Sequence, residues 1–201
     1  MNPRRQPTAP EVADASIALI SAEAFFMNAQ PFIAKLNADI ALANERAVQD
    51  IGGLVASVTN LTLAIELYLK GLLLWNSVPA PKTHDLPTLY KLLPASVAAS
   101  VQVDFVRQLE LAAPVNGIEL ELTRANDAQE RNPEPTGPPD MSLSAVLTRN
   151  ADAFVIWRYL FSLNPKPGSE YLAYEHDSLN SLAKALRAQY GQVHRLRPAA
   201  A

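Results

Sequence analysis

The sequence predicts an all-α protein, an up-and-down bundle of five or six helices in a single domain. Apolar residues recur at spacings of three and four almost throughout the chain, which is the period of an amphipathic helix. Runs that alternate apolar and polar residues, as strands do, are scarce. Only 7 glycines interrupt 201 residues, and 49% of the chain is hydrophobic, which is enough for one substantial core.

The first quarter of the chain predicts two successive helices. Residues 11–29 place apolar side chains on one face, and the pattern resumes over 32–49. Pro31 lies between them and is expected to end or kink the first helix, because proline lacks a backbone N–H. Gly52-Gly53 then marks either a break or a close helix contact.

Residues 54–76 form the strongest predicted helix. Almost every side of it is apolar, so it belongs in the middle of the bundle. Polar side chains survive along one line, at spacings of three and four. We call this line the polar seam: Thr59, Thr62, Glu66 and Lys70.

Prolines break the chain after this helix. Asp85 is placed to cap a short helix that runs to about Leu93, and a further helix starts at Pro94. Residues 114–140 hold five of the 16 prolines and predict a long exposed loop. Within that loop, Ile118–Leu122 alternates and is suited to pair as a short strand.

Two helices close the predicted bundle. Ser142 or Ser144 opens a strong helix that runs to about Leu163, and the last helix spans about 177–190.

The predicted domain covers residues 11–193. The arm at 1–10 and the basic tail at 194–201 are expected to be disordered.

Composition excludes several classes of site. The chain has no cysteine, which excludes disulfides, thiol catalysis and cysteine-ligated metal clusters. Three scattered histidines show no metal-binding spacing, so we expect no metal and no cofactor. A net charge of -3 is not that of a general nucleic-acid binder. No signal peptide is visible, and the most apolar stretch, Leu61–Trp75, is interrupted by charges and too short for a bilayer span; we expect a soluble cytoplasmic protein.

Glu66 and Lys70 are the first candidate site. Their i, i+4 spacing is that of an ordinary helix ion pair. On a helix that is otherwise buried, a cleft must reach the pair or a third polar group must meet it, because removing a charge from water is costly.

His84 beside Asp85 is a second candidate, for acid–base chemistry. A capping Asp85 next to a packed or solvent-facing His84 explains the same residues.

The helix after the long loop carries a third candidate. On a helical wheel Asn150 falls near the centre of the apolar stripe, with Arg149 at one edge and Arg158 at the other. A buried amide needs hydrogen-bond partners, and arginine forks suit carboxylates and phosphates. These residues fit equally a ligand-binding site and a structural network with acidic side chains such as Glu66.

Four motifs, in this order, resemble a HEPN domain: LAIELYLKGLLL at 63–74, HDL at 84–86, LYKLLP at 89–94 and NADAFVIWRYL at 150–160. The resemblance covers about residues 54–163 and implies a helical bundle that commonly dimerises. Many HEPN domains resemble metal-independent ribonucleases, in which an Arg holds the scissile phosphate. A His, separated from that Arg by four to six intervening residues on the same helix, moves the protons. Others resemble nucleotide-binding or non-catalytic partners of nucleotidyltransferases and toxins.

The chain departs from the ribonuclease motif at its histidine. Arg149-Asn150 matches the front of the motif, but Phe154 stands where the His belongs, and Val155 and Ile156 follow it. Phenylalanine can neither donate nor accept a proton. The resemblance therefore implies a non-catalytic, homodimeric module that binds nucleotide or RNA phosphate in a toxin, defence or stress context. The residues implied in binding are Arg149, Asn150, Arg158, Glu66, Lys70 and His84.

Two alternatives stay open. In a metal-independent endoribonuclease of toxin type, Arg149 would hold the phosphate, and His84 or His176 would supply the proton from another helix. A formal Arg–His pair at Arg187 and His194 lies outside the region of resemblance, where a basic tail is the ordinary interpretation. In a purely structural or interaction protein, the polar seam is a core network.

The expected partners are a second copy of the chain, nucleotide or RNA, and a protein such as an antitoxin or a nucleotidyltransferase. No membrane partner is expected.

Overall fold

The computed structural model describes residues 8–41, 51–112, 118–122, 140–158, 170–174 and 176–195. These residues form an all-α bundle with one small two-stranded ribbon, which confirms the predicted fold class. The elements in chain order are α1 (Ala9–Ala41), α2 (Ile51–Trp75), α3 (Leu86–Lys91), α4 (Ala95–Leu111), β1 (Ile118–Leu122), α5 (Leu143–Arg149), α6 (Ala153–Arg158), β2 (Glu170–Tyr174) and α7 (His176–Arg195). Most of the predicted arm, loop and tail lies outside the described residues.

Helix α2 is central, as its apolar sides predict. Helix α1 packs along it, and α3, α6 and α7 contact it on other sides. Gly71 permits the close approach of α1, because a Cβ atom there would lie 2.6 Å from Cγ of Leu19. The buried apolar residues of α2 are Leu54, Val58, Leu61, Ala64, Ile65, Tyr68, Leu69, Leu72 and Leu73.

Helix α1 is continuous through Pro31, so the prediction that the proline separates two helices is wrong. Pro31 and Met27 both lie on the exposed face of α1. The carbonyl of Met27, which would accept from residue 31 in an ordinary helix, is therefore left on the solvent side, where water can satisfy it. Similarly, Gly52-Gly53 lies inside α2 and makes no break.

The predicted helix starts are confirmed where a side chain caps them. Asp85 is the N-cap of α3, and its carboxylate accepts from the Thr88 backbone N–H at 2.9 Å. Ser142 is the N-cap of α5, and its Oγ accepts from the Ala145 backbone N–H at 3.3 Å.

The helix predicted from Ser142 to Leu163 is interrupted. Helix α5 ends at Arg149, and α6 begins at Ala153 after a turn. Asn150, at the break, has φ -108° and ψ 22°, outside the helical values. The prediction of one continuous helix is wrong because the turn supplies its own hydrogen bonds, with the Asn150 carbonyl accepting from the Ala153 N–H at 3.2 Å.

The two strands form an antiparallel pair. Ile118 lies opposite Tyr174 and Leu122 lies opposite Glu170. The alternating segment in the predicted loop is therefore a strand, and its partner comes from the segment before α7.

Two helical segments are long and apolar enough to cross a membrane by length and composition, Val12–Ala34 and Gly53–Trp75. The second contains the Leu61–Trp75 stretch and is longer than it, so length alone does not exclude a span. In the protein 67% of the Gly53–Trp75 window is buried, as in a core helix, against 28% for Val12–Ala34.

Candidate functional site

The polar seam of α2 carries a buried carboxylate with two basic partners. Glu66 is only 2% exposed. Its Oε1 accepts from Lys70 Nζ at 2.7 Å, one helical turn further on. Its Oε2 lies 2.9 Å from Nδ1 of His84, which comes from the segment before α3. Of the two arrangements expected for this pair, a cleft or a third polar group, the structure shows the second, with His84 as that group.

The contact with Glu66 determines which nitrogen of the His84 ring carries a proton. A carboxylate oxygen only accepts, so the shared proton belongs to Nδ1 and the neutral ring carries its lone pair on Nε2. The His84 side chain is 51% exposed. Among the described residues, Nε2 has no hydrogen-bond partner. His84 is oriented by Glu66 and not by its sequence neighbour Asp85, which caps α3 instead.

Phe154 and Arg158 join this group through His84, because Phe154 contacts the His84 ring and Arg158 contacts Phe154. The ring centroids of His84 and Phe154 lie 5.3 Å apart at an interplanar angle of 38°. The guanidinium of Arg158 lies 5.5 Å from the centroid of Phe154, within the range of a cation–π contact. We call this group the Glu66 cluster: Glu66, Lys70, His84, Phe154 and Arg158.

The turn between α5 and α6 aligns this cluster. The Leu86 backbone N–H donates to the Ala151 carbonyl at 3.4 Å, which holds the segment of His84 against the turn. Asn150 is 5% exposed, and its Nδ2 donates to the Val146 carbonyl at 2.9 Å. The Asn150 side chain therefore caps α5 and is satisfied within its own helix.

Arg149 and Arg158 occupy equivalent positions, each as the last residue of a short helix. Both are exposed, and a cation is favourable there because the last carbonyls of a helix lack helical donors. The charge of Arg149 also acts on Asp140, which lies two residues before Ser142, the N-cap of α5. The pKa of Asp140 is lowered, chiefly by hydrogen bonds from Ser142 and to a smaller extent by Arg149.

The two threonines of the polar seam differ. Thr62 Oγ1 donates to the Val58 carbonyl at 2.8 Å. Thr59 Oγ1 is buried and has no partner among the described residues. The seam is therefore fully paired at its Glu66 end and incompletely paired at its Thr59 end.

A second polar cluster, which the sequence pattern does not predict, joins α1, α2 and α7. Arg187 on α7 forms a two-point contact with Glu23 on α1, with Nε 2.8 Å from Oε2. Tyr68 of α2 donates to the same carboxylate at 2.7 Å. The Arg187 hydrogen bond lowers the pKa of Glu23, and burial together with Glu23 raises the pKa of the Tyr68 phenol. Arg187, singled out for a nuclease motif, is thus held by a carboxylate 164 positions away in the chain; no local pattern marks Glu23.

A cleft of about 850 Å³ opens beside this cluster, between α1, α4 and α7. Its lining includes Glu23, Asp104, Arg107, Lys184 and Arg187. Arg107 pairs with Asp104 at 2.7 Å and Arg187 pairs with Glu23, so most charge in the cleft is compensated.

The side chains of His176 and His194 lie outside the described residues. In the part of the chain that the structure describes, no group of three His, Asp or Glu side chains is placed to hold a metal ion.

Comparisons of the chain with protein-family models, with curated proteins and with solved structures found no match. The resemblance to HEPN domains therefore depends on the four sequence motifs alone.

Proposed function

We propose that the protein is a non-catalytic, HEPN-like module that binds the phosphate of RNA or of a nucleotide at the Glu66 cluster. The observation that carries the proposal is the place of Phe154. A buried, proton-inert ring stands where the resembling ribonucleases keep a histidine, and it contacts both His84 and Arg158.

The cluster has the chemistry of an anion site. Lys70 and His84 contact one carboxylate, Arg158 lies over the Phe154 ring that contacts His84, and Arg149 is the last residue of α5. Glu66 neutralises one positive charge and holds His84 and Lys70 in place. Arginine guanidinium groups present paired donors that match phosphate oxygens, and such contacts weaken as salt rises.

In this proposal the residues have different roles. Arg149 and Arg158 bind phosphate, with His84 as a third donor when protonated. Glu66 positions His84. Asn150 shapes the α5–α6 turn and does not itself contact the ligand.

The proposal includes the setting implied by the resemblance: a cytoplasmic protein of a toxin, defence or stress system, with an antitoxin or a nucleotidyltransferase as protein partner. It rests on the sequence motifs quoted above.

A second candidate function, a metal-independent endoribonuclease, is favoured by one observation. Glu66 fixes the proton of His84 on Nδ1, which leaves Nε2 as the basic atom on a half-exposed ring. In such an enzyme Nε2 takes the proton of a ribose 2′-hydroxyl, and the oxygen then attacks the neighbouring phosphorus. The bond to the 5′-oxygen breaks, the leaving oxygen takes a proton, and the products are a 2′,3′-cyclic phosphate and a 5′-hydroxyl.

Titration of a fluorescent single-stranded RNA and of ATP at low and high salt tests the proposal. We expect binding that falls with salt and that weakens in Arg149→Ala and Arg158→Ala, each with a salt slope smaller by about one. Lys184→Ala is the matched control, because Lys184 is an exposed cation in the cleft beside α7. If Lys184→Ala loses binding while Arg158→Ala binds as tightly as the natural chain, the ligand belongs to that cleft and the proposal is overturned.

A further inference from the structure

The cleft between α1, α4 and α7, which we call the α7 cleft, carries more positive than negative charge. Its lining includes three cations, Arg107, Lys184 and Arg187. It also includes two carboxylates, those of Glu23 and Asp104, so one positive charge is left over among the described residues of the lining. The volume of about 850 Å³ lies within the range of small-molecule pockets, roughly 300–1,000 Å³.

The two carboxylates of the α7 cleft already have donors. Both oxygens of Glu23 accept from the guanidinium of Arg187. Asp104 Oδ1 accepts from Arg107 Nη2 at 2.7 Å, and Asp104 Oδ2 accepts from Gln189 Nε2 at 2.8 Å. Each of the four oxygens therefore has a partner, and a cationic ligand would have to displace one of these side chains.

The cations, in contrast, have donors to spare. Lys184 is exposed and has no hydrogen-bond or ion-pair partner among the described residues. Arg187 uses Nε and Nη2 on Glu23, so the two N–H groups of its Nη1 are unpaired within the part of the chain that the structure describes. The surplus in the cleft is thus one of positive charge and of N–H donors, which is what an anion requires.

Apolar groups stand beside these donors. Phe26 is 3% exposed, and the guanidinium of Arg187 lies 5.2 Å from its ring centroid. Met27, which is 52% exposed, and Ala188 also line the cleft. Gly191 adds no side chain, and nothing lies within 4 Å of the place where its Cβ would be. A ligand that fills this space therefore needs an apolar body as well as a charge.

We propose that the α7 cleft binds a small organic carboxylate, in which one negative charge is joined to an apolar body about the size of an aromatic ring. The carboxylate lies against Lys184 and the Nη1 of Arg187, whose i, i+3 spacing places them side by side on α7. Glu23 holds the guanidinium of Arg187 from its other edge, so little freedom is lost on binding. The apolar body occupies the space beside Gly191.

The charge of the lining favours a carboxylate over a phosphate. One positive charge is left over in the cleft, which matches the single charge of a carboxylate. A phosphate monoester carries about -1.5 to -2 at pH 7 and would bring more negative charge than the lining compensates.

The α7 cleft is separate from the Glu66 cluster. Among the described residues the two share no side chain. Tyr68 of α2 faces Glu23 at the edge of the cleft, and Glu66 lies about half a helical turn away, on the side that His84 covers. The inference therefore does not depend on what the Glu66 cluster binds.

Fluorine NMR titration of the full chain with para-fluorophenylacetate tests the inference, and the neutral para-fluorophenylacetamide is a control of the same shape. We expect the acid to bind with a Kd of about 1 mM, the affinity open to so small a ligand. The amide is expected to bind about tenfold more weakly, because it lacks the charge that strengthens the hydrogen bonds. Equal affinities, or no binding of the acid up to about 10 mM, would overturn the inference.

A charge variant places the carboxylate. Lys184→Gln is expected to weaken binding of the acid about tenfold and to leave binding of the amide unchanged. Lys91→Gln is the matched control, because Lys91 is an exposed cation at the end of α3, outside the lining of the cleft. Binding of the acid that is the same in Lys184→Gln as in the natural chain contradicts the inference.

A filling variant places the apolar body. Gly191→Leu is expected to weaken binding of both acid and amide with unchanged helical circular dichroism, because no atom lies within 4 Å of the new Cβ. Binding of the acid that is lost in Arg158→Ala and kept in both Lys184→Gln and Gly191→Leu would assign it to the Glu66 cluster and overturn the inference. RNA binding that Lys184→Gln retains would leave the proposed function intact while binding of the acid is lost.

Discussion

The imidazole of His84 lies 5.3 Å from the ring of Phe154, centroid to centroid. The two rings come from different parts of the chain, the segment before α3 and helix α6, and Glu66 of α2 holds the imidazole in place. The histidine of this cluster therefore does not share a helix with Arg149. The tertiary fold brings the imidazole of His84 close to α6, and α6 itself supplies the phenyl ring of Phe154.

The two rings are expected to contribute very differently to stability. Phe154 is 7% exposed, so Phe154→Ala is expected to lower the free energy of unfolding by about 3 kcal/mol, as a buried aromatic usually does. The His84 side chain is 51% exposed, and His84→Ala is expected to cost about 1 kcal/mol or less. Urea unfolding of both variants measures the difference. A larger loss in His84→Ala than in Phe154→Ala would show that the ring of Phe154 does not belong to the core.

Two helical glycines are expected to respond to alanine in opposite directions. At Gly71 a Cβ would lie 2.6 Å from Leu19 Cγ and 3.3 Å from the Leu19 backbone nitrogen, so Gly71→Ala must separate α1 from α2 or move Leu19. We expect a loss of about 1–3 kcal/mol. At Gly191 of α7 nothing lies within 4 Å, and Gly191→Ala is expected to stabilise the helix by up to about 1 kcal/mol. Thermal unfolding of both variants checks the pair; a stabilised Gly71→Ala would contradict the close helix contact.

The Glu23–Arg187 pair predicts a loss of stability in acid. The Arg187 hydrogen bond holds the pKa of Glu23 below its ordinary value of 4.5. The folded state thus binds a proton more weakly than the unfolded chain, so the contribution is complete above about pH 4.5 and is lost as the pH falls through the folded pKa. Because the Arg187 side chain is 46% exposed, the contribution is expected to be about 1 kcal/mol.

The measurement is the free energy of unfolding of the natural chain and of Glu23→Gln between pH 3 and 7. The difference between the two proteins should be present at pH 7 and should shrink below about pH 4.5. A difference that is independent of pH would mean that the charge of Glu23 does not contribute to stability.

Tyr68 predicts the opposite behaviour in alkali. Burial, and then the hydrogen bond to Glu23, raise the pKa of its phenol above the ordinary value of 10.0. The contribution of the neutral phenol is therefore complete below about pH 10 and is lost as the pH rises beyond it. Tyr68→Phe is expected to cost about 2 kcal/mol at pH 7, because a hydrogen bond to a carboxylate is removed. Comparing the unfolding of the two proteins from pH 7 to 11 checks this prediction, and a constant difference above pH 10 would contradict it.

Local features of the sequence predict much of this fold. The helical period and the caps at Asp85 and Ser142 determine the class and two helix starts, because a cap is an interaction within four residues. The burial of α2 follows from its apolar sides. The prediction that Pro31 separates two helices is wrong because the cost of a proline depends on whether the freed carbonyl can reach water. That is a property of the helix face and not of the proline.

Long-range contacts account for the rest. The ionic pair on α2 indicates that either a cleft or a third polar group must meet it, and His84, 18 positions away, is that third group. The break at Asn150 depends on hydrogen bonds of the turn and on the contact of Ala151 with Leu86, which no helical pattern encodes. The Glu23–Arg187 pair joins the first and last helices, so only the packed bundle reveals it.

We propose that the Glu66 cluster holds phosphate without cutting RNA. The most direct test incubates the purified protein with structured and unstructured RNA in EDTA, at a low salt concentration where binding is measured in the same samples. We expect salt-dependent binding and intact RNA. Sustained cleavage in EDTA that leaves 2′,3′-cyclic phosphate ends and that disappears in His84→Ala and in Arg149→Ala would contradict the claim and establish the protein as a ribonuclease.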